Sequence, residues 1–420
     1  MKIKFGVARK YSRVTNLICF HLTLMTAKNM LAATNQFFYE INERLNTLII
    51  LLLAVVYVYV FVFDNLLPRL KRKTALVLAL CLLFFLGSTL VSPGLFSNET
   101  VRSQLKTFIA YCLPLFILCT YESNPDDLLE RLFDASTPLV LLSTVCFYFA
   151  FSRQGYLDYS MSFGYSALFI NMLLLFKYEA KRRKIDLVFY LLSIVYIFLT
   201  GSRGPLAYIA VSLIVILFIQ EKSSRKVIYI SLTALASLVL LIFYSEIMRT
   251  TLSFLRNLGI ESRTVTMLLQ GNIQLDSGRA VIHQNLIQEI NQHPILGLGA
   301  FGGAYRVGLA HSIFLDTFSN FGYFGGGLLF VLLLYYSIRL LIKTKGTLTY
   351  KLILMLLILT FGGGTFGGAF FEKKELWMLF GILIGNRVTS GFIEEEHETI
   401  NSISENLNMN RMQNKPSARR

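Results

Sequence analysis

Apolar runs long enough to cross a bilayer recur along this chain from its first fifty residues to its last. Short connectors rich in lysine and arginine separate them. That alternation restricts the chain to one class, an all-α polytopic integral membrane protein, and 54% hydrophobic residues exclude an ordinary soluble domain. Spans are expected near 14–33, 47–63, 74–91, 104–121, 136–151, 161–177, 187–200, 204–220, 227–245, 323–342, 351–369 and 376–390, about 12 transmembrane helices in one domain over 1–392. Lys28 interrupts the first span near one end, within snorkelling distance of the interface.

The connectors carry the orientation signal. With the N-terminus inside, cytoplasmic segments hold 27 of the 40 Lys and Arg residues; outer segments hold 12, and Lys28 completes the set. Five of those outer residues lie in one long loop, so the short loops alone give an inner excess of 27 to 7. Both termini are therefore expected in the cytoplasm. The polar stretch 393–420, with Glu394, Glu395, Glu396 and Glu398, is expected as a disordered cytoplasmic tail. A formal charge of +15 would suit nucleic acid in a soluble chain, but here bilayer orientation accounts for it and no nucleic-acid partner is expected. The five cysteines, Cys19, Cys81, Cys112, Cys119 and Cys146, all fall in apolar blocks, which argues against a disulfide framework or a zinc site. The N-terminus shows no cleavage site of a removable signal peptide.

One polar stretch breaks the pattern. Between Tyr244 and Phe324 the chain turns polar for about seventy residues, far beyond a helical hairpin loop. They contain Arg249, Arg256, Arg263, Arg279 and Arg306, no lysine, and His283, His293 and His311. Arginine without lysine suits bidentate recognition of phosphate or carboxylate. The loop proper, 246–318, is read as the extracytoplasmic half of an active site.

The other half is expected at Thr200-Gly201-Ser202-Arg203-Gly204-Pro205, which interrupts an apolar stretch of over thirty residues. Gly201 suits a helix end, Ser202 a cap and Pro205 a first turn, leaving Arg203 beside free backbone N–H groups at the positive end of a helix. A phosphate fits such a place, including the backbone of Gly204. The plainer alternative is a tight hairpin whose arginine meets lipid headgroups. In the long loop, Asp276-Ser277-Gly278-Arg279 reads as a cap opening an amphipathic helix that ends before Pro294, with Arg279, Ile282, Leu286 and Ile290 on one stripe. An interfacial helix with a snorkelling arginine gives the same pattern. Gly297 and Gly299 then turn the chain back toward the membrane, and His311 stands where the next helix begins. A lone histidine is more often structural, yet its place and its titration near neutrality make His311 the base candidate. Asp316 lies too far round the helix to orient that imidazole, and His293 beside Pro294 reads as structural. Arg306, Ser312, Asp316, Arg102 and Lys106 are secondary candidates. Glu372, Lys373, Lys374 and Glu375 form an outer turn that could meet substrate, though such a turn is usually just solvated. No metal or other cofactor is expected, and no nucleotide-binding or hydrolase motif occurs.

The order of these features resembles the O-antigen ligase and polysaccharide repeat-unit polymerase (Wzy-type) superfamily over about residues 187–385. The carriers are Thr200-Gly201-Ser202-Arg203-Gly204, Ser277-Gly278-Arg279, His293-Pro294 with Gly297 and Gly299, His311, and Phe370-Phe371-Glu372 to Trp377. The resemblance implies a metal-independent, inverting glycosyltransferase in a bacterial inner membrane. Its donor and acceptor would be oligosaccharides on undecaprenyl diphosphate, and a chain-length regulator and a flippase would be pathway partners. It also implies that Arg203 and Arg279, with Ser202 and Gly204, bind the diphosphate while His311 acts on the acceptor. Many members carry Asn after that histidine; here Ser312 stands in its place. A repeat-unit polymerase is the expected activity. The alternatives are a ligase moving finished polymer to lipid A core, cell wall or protein, and, from another class, a flippase or transporter of lipid-linked oligosaccharide. The last would need paired broken helices in two halves, of which only one break is evident.

Overall fold

A computed structural model describes residues 11–34, 40–63, 72–122, 124–154, 161–199, 203–220, 244–257, 279–362 and 368–385. Among them the fold is helical, without a strand. The helices are α1 (Arg13–Thr34), α2 (Asn42–Phe63), α3 (Arg72–Val91), α4 (Glu99–Tyr121, with a π turn at Phe108–Cys112), α5 (Pro125–Gln154), α6 (Met161–Lys181), α7 (Lys184–Leu199) and α8 (Arg203–Gln220). There follow α9 (Tyr244–Asn257), α10 (Arg279–Gln292), the short α11 (Gly302–Arg306), α12 (Ile313–Lys343), α13 (Leu348–Phe361) and α14 (Lys374–Gly385). Four of these, α2, α3, α4 and α12, are long and apolar enough to cross a membrane; α8 and α13 contain shorter apolar helices. The expected span at 227–245, all but its last two residues, and the tail from 393 lie outside the described residues.

Polar links between distant segments sort the helix ends into two groups. At one end Thr15 Oγ1 donates to Glu122 Oε2 (2.7 Å), Thr349 Oγ1 to Asp126 Oδ1 (2.6 Å) and Lys177 Nζ to the Phe133 carbonyl (2.9 Å). Lys177 also pairs with Asp186 at 3.4 Å, and Lys351 with Glu179. These segments are the ones that the charge count groups on one side. At the opposite end the C-terminus of α3, the start of α4, the 293–320 region, the 368–377 segment and the first turns of α6 and α8 come together. Aromatic rings fill the space between them: Phe301 lies 4.6 Å from Phe371, Phe85 5.6 Å from Phe301, and Phe108 4.9 Å from Trp377. The Phe370–Trp377 segment is therefore core.

Two glycine pairs set the packing. Gly381 and Gly385, four apart on α14, face the backbone of α4; a Cβ would come within 2.5 Å of Phe116 O and 2.6 Å of Thr120 O. Small residues at that spacing allow two helix backbones to approach closely. The second pair corrects the sequence reading of α12. This helix begins at Ile313, ten residues before the expected span, and breaks at Gly322 (φ +72°). The break removes the helical bond from the Tyr323 N–H to the Ser319 carbonyl. The 294–298 loop supplies both missing partners: Tyr323 N–H donates to Pro294 O (2.7 Å) and Leu298 N–H to Ser319 O (2.7 Å). The loop fits because residue 297 lacks a side chain; a Cβ there would stand 2.4 Å from Gly322 N, on a backbone at φ +69°.

Gly297→Ala should therefore cost about 2–3 kcal/mol, lowering the melting temperature of the detergent-solubilised protein by several degrees or stopping its accumulation. Gly327→Ala, whose Cβ meets nothing within 4 Å, is the matched control and should be neutral. Equal melting curves for the two variants would contradict the splice.

Candidate functional site

The junction of α10 and α12 carries the expected chemistry. Arg279 is the first residue of α10, whose Leu286 and Ile290 are buried against α12. The apolar stripe thus packs on protein. One turn after Arg279, His283 is placed to reach back to the loop before α12: its Nε2 donates to the Ala310 carbonyl at 2.8 Å. A carbonyl only accepts, so Nε2 carries the proton. This bond holds the residue preceding His311. His311 itself takes a left-handed backbone, φ +49°, uncommon for a side chain with a Cβ and frequent where a site over-determines the chain. Its imidazole is half-buried. Burial, then the charges of Arg279 and His283, hold it below the usual histidine range. Both effects favour the neutral form of the His311 imidazole, with an arginine close enough to act on it.

Ser312 does not offer its hydroxyl to this site. It is buried and caps α12, accepting from Leu315 N at 3.4 Å. Asp316, as expected, does not serve His311. It turns inward, where Oδ2 accepts from Phe370 N (2.7 Å) and Asn320 Nδ2 (3.2 Å). Asn320 Oδ1 in turn accepts from Phe301 N (2.8 Å), and Ser88 Oγ from Ala300 N (2.6 Å). The polar side of the first turns of α12 thus ties the long loop to the segment after residue 368.

That segment overturns the plainer reading of 372–375 as a solvated turn. Glu375 is buried and Glu372, Lys373 and Lys374 are half-buried. Glu372 is pushed up to about 7 by burial and then by the charge of Asp316, against a hydrogen bond from Gln104 on α4. Lys373 is pushed down by burial, with Glu375 opposing. Its ammonium donates to Tyr208 Oη (3.2 Å) and lies over the rings of Tyr208 (5.2 Å) and Tyr165 (6.0 Å). Tyr208 stands five residues into α8, the helix that Arg203 opens. The chain from Phe370 to Lys373 therefore bridges α12, below His311, to the first turns of α8. Sequence reasoning left the 372–375 turn open to substrate without singling out Glu372 or Lys373, and it missed Gln104 and the role of His283; the signal was two adjacent lysines set between glutamates at the mouth of an apolar helix.

Of the other predicted residues, Gly204 is half-buried in the first turn of α8. The Arg203 side chain and Ser202 lie outside the described residues. Arg102 and Lys106 are exposed on the first turns of α4. Arg306 is taken by Glu289 at 3.1 Å, and exposed His293 ends α10. Among the described residues no three potential ligating side chains group as a metal site.

Fold and site define a multi-pass helical membrane protein with an arginine and a neutral histidine converging at one end of the bundle. Residues 188–330, about a third of the chain, match the family model described as O-antigen ligase, which supports the resemblance read from the sequence. The match supports an enzyme of the ligase or polymerase type without separating the two. No curated protein and no solved structure matches the chain.

Because a cation destabilises imidazolium, Arg279→Gln should raise the His311 pKa toward 6.5. The pH at which diethylpyrocarbonate begins to modify His311, followed by mass spectrometry, should then move up; an unmoved profile would separate the two side chains.

Proposed function

We propose that this chain is a polysaccharide repeat-unit polymerase of the capsular or O-antigen kind, acting on the extracytoplasmic face with both termini inside. It transfers a growing glycan from undecaprenyl diphosphate onto a lipid-linked repeat unit. The observation that carries the reading is the neutral His311 imidazole at the head of α12, beside the arginine that opens α10.

The chemistry asks for little else. An acceptor sugar oxygen attacks the anomeric carbon of the donor while His311 takes the hydroxyl proton. The bond from that carbon to the diphosphate oxygen breaks, and the electron pair leaves on the diphosphate. Arg279 and Arg203, with the backbone at Ser202 and Gly204, hold the charge that develops there; guanidinium forks match phosphate oxygens without Mg²⁺. Attack opposite the leaving group inverts the anomeric centre. Arg306, committed to Glu289, and Ser312, committed to the α12 cap, take secondary roles at most. Arg102 and Lys106 stand on the same end for an incoming glycan carrier. A chain-length regulator and a flippase would complete the pathway.

The ligase reading shares this donor chemistry and differs in acceptor. The description of the matched family favours it, whereas the resemblance of the Phe370–Trp377 segment favours the polymerase. Deletion of the gene separates them: single-repeat surface glycan is the polymerase outcome, and long polymer retained on its lipid carrier is the ligase outcome. In complementation, Arg279→Lys and Arg203→Lys should each lower chain growth about 10²-fold, since a point charge does not replace the fork. His311→Ala should abolish growth with the protein still in the membrane. Full-length polymer from the His311 variant would exclude the mechanism.

A further inference from the structure

Lys373 carries an ammonium that has no ion pair among the described residues. Among the described residues no carboxylate oxygen stands within 4.0 Å of its Nζ, and the nearest bonded oxygen is the phenol of Tyr208 at 3.2 Å. Glu375 attracts it from further away, and Glu372, pushed up to about 7, is only a partial counter-charge at neutral pH. The two tyrosine faces stabilise a cation but do not neutralise it. A half-buried ammonium so placed is short of an anion. The lysines at the other end of the bundle differ: Lys177 and Lys351 each have a carboxylate at ion-pair distance. Position supplies the second part of the case. Tyr208 lies five residues past Arg203, a rise of about 7.5 Å along α8. The chain just before Lys373 is held to Asp316, five residues past His311, through the bond from Phe370 N. The under-compensated charge therefore lies at the same end of the bundle as both arms of the proposed site, at a level about five residues further along α8 and α12.

We propose that Lys373 is a diphosphate-binding residue: its ammonium takes a phosphate oxygen of the lipid-linked substrate at the N-terminal end of α8. The inference rests on the glycosyltransferase reading and adds a third cation, from the last connector of the chain, to the arginines from the α8 turn and α10. No bond is made or broken at Lys373. It binds the leaving group in substrate and product alike, so undecaprenyl diphosphate itself is the probe.

Binding of undecaprenyl diphosphate, undecaprenol and phosphatidylglycerol to the full-length protein in detergent tests this. Lys373→Gln, which keeps a donor for Tyr208 and removes the charge, should weaken diphosphate binding about 10–100-fold and leave undecaprenol binding unchanged. Lys373→Arg should stay within about threefold of wild type, because the charge is kept. Where the glutamine variant does not accumulate, Lys373→Met, which retains a long stem between the tyrosines, replaces it in the comparison. Equal diphosphate affinity in the wild type and the neutral variant overturns the assignment of Lys373 and leaves the function standing. A wild-type protein that binds no undecaprenyl diphosphate overturns the donor reading itself. Equal competition by phosphatidylglycerol makes the site one for lipid headgroups and overturns its role in the donor.

Discussion

A helix that breaks inside an apolar bundle must find new partners for the two backbone groups it releases, because no water is at hand to take them. In α12 the released groups are the Tyr323 N–H and the Ser319 carbonyl, and the chain from Pro294 to Leu298 accepts one and donates to the other. The site follows from this splice. It fixes the end of α10 against the middle of α12, so that α10 runs back along the first turns of α12 and delivers His283 to the Ala310 carbonyl. Gly297 and Gly322 are where two backbones meet at a separation that no Cβ allows.

The stretch of α12 ahead of the break is short and polar on one side, and each polar residue ties down a different segment. Ser312 closes the helix start, Asp316 takes Phe370 N, Asn320 takes Phe301 N, and the Ser319 carbonyl takes Leu298 N–H. Both acceptor side chains hold backbone N–H groups of irregular segments, which carry no helical partner of their own. The nearby stack of Phe85, Phe108, Phe301, Phe371 and Trp377 excludes water from these bonds and gives them weight. His311 is thus placed by hydrogen bonds to its neighbours, none of which its own ring needs to make.

Much of this was legible in the sequence, and what was not has a physical reason. Helix α10 was readable from its cap and stripe, because Ile282, Leu286 and Ile290 repeat at helical spacing, and the observed helix opens at Arg279. For α12 the sequence put the helix start at His311, two residues from the observed Ile313, but not the break at Gly322, since the bonding partners that tie down Asp316, Ser319 and Asn320 lie up to 54 positions away. Lys373 was only half readable: two lysines between two glutamates can meet substrate but more often mark surface, and only the folded chain brings Tyr165 and Tyr208 from α6 and α8 around one of them. Gly381 and Gly385 went unread for a related reason, because the helix they press against precedes them by more than two hundred and fifty residues.

The distribution of ion pairs between the two ends of the bundle carries the last step. A cation that serves only to orient or stabilise a helix end is best paired, since an unpaired one costs more the deeper it lies. The end holding Lys177 and Lys351 follows that rule, with Asp186 and Glu179 as partners. At the opposite end Arg306 follows it too, through Glu289. Arg279 and Lys373 do not: among the described residues neither has a carboxylate at ion-pair distance, though both stand within a few residues of the segments that fix His311 and α8. Two under-compensated cations at one end of the bundle, one of them close enough to His311 to act on its imidazole, form an electrostatic arrangement that stability alone does not explain. On the proposed mechanism, a ligand that brings two negative phosphates and leaves with them would account both for the surplus positive charge and for the lack, among the described residues, of a carboxylate at ion-pair distance from either cation.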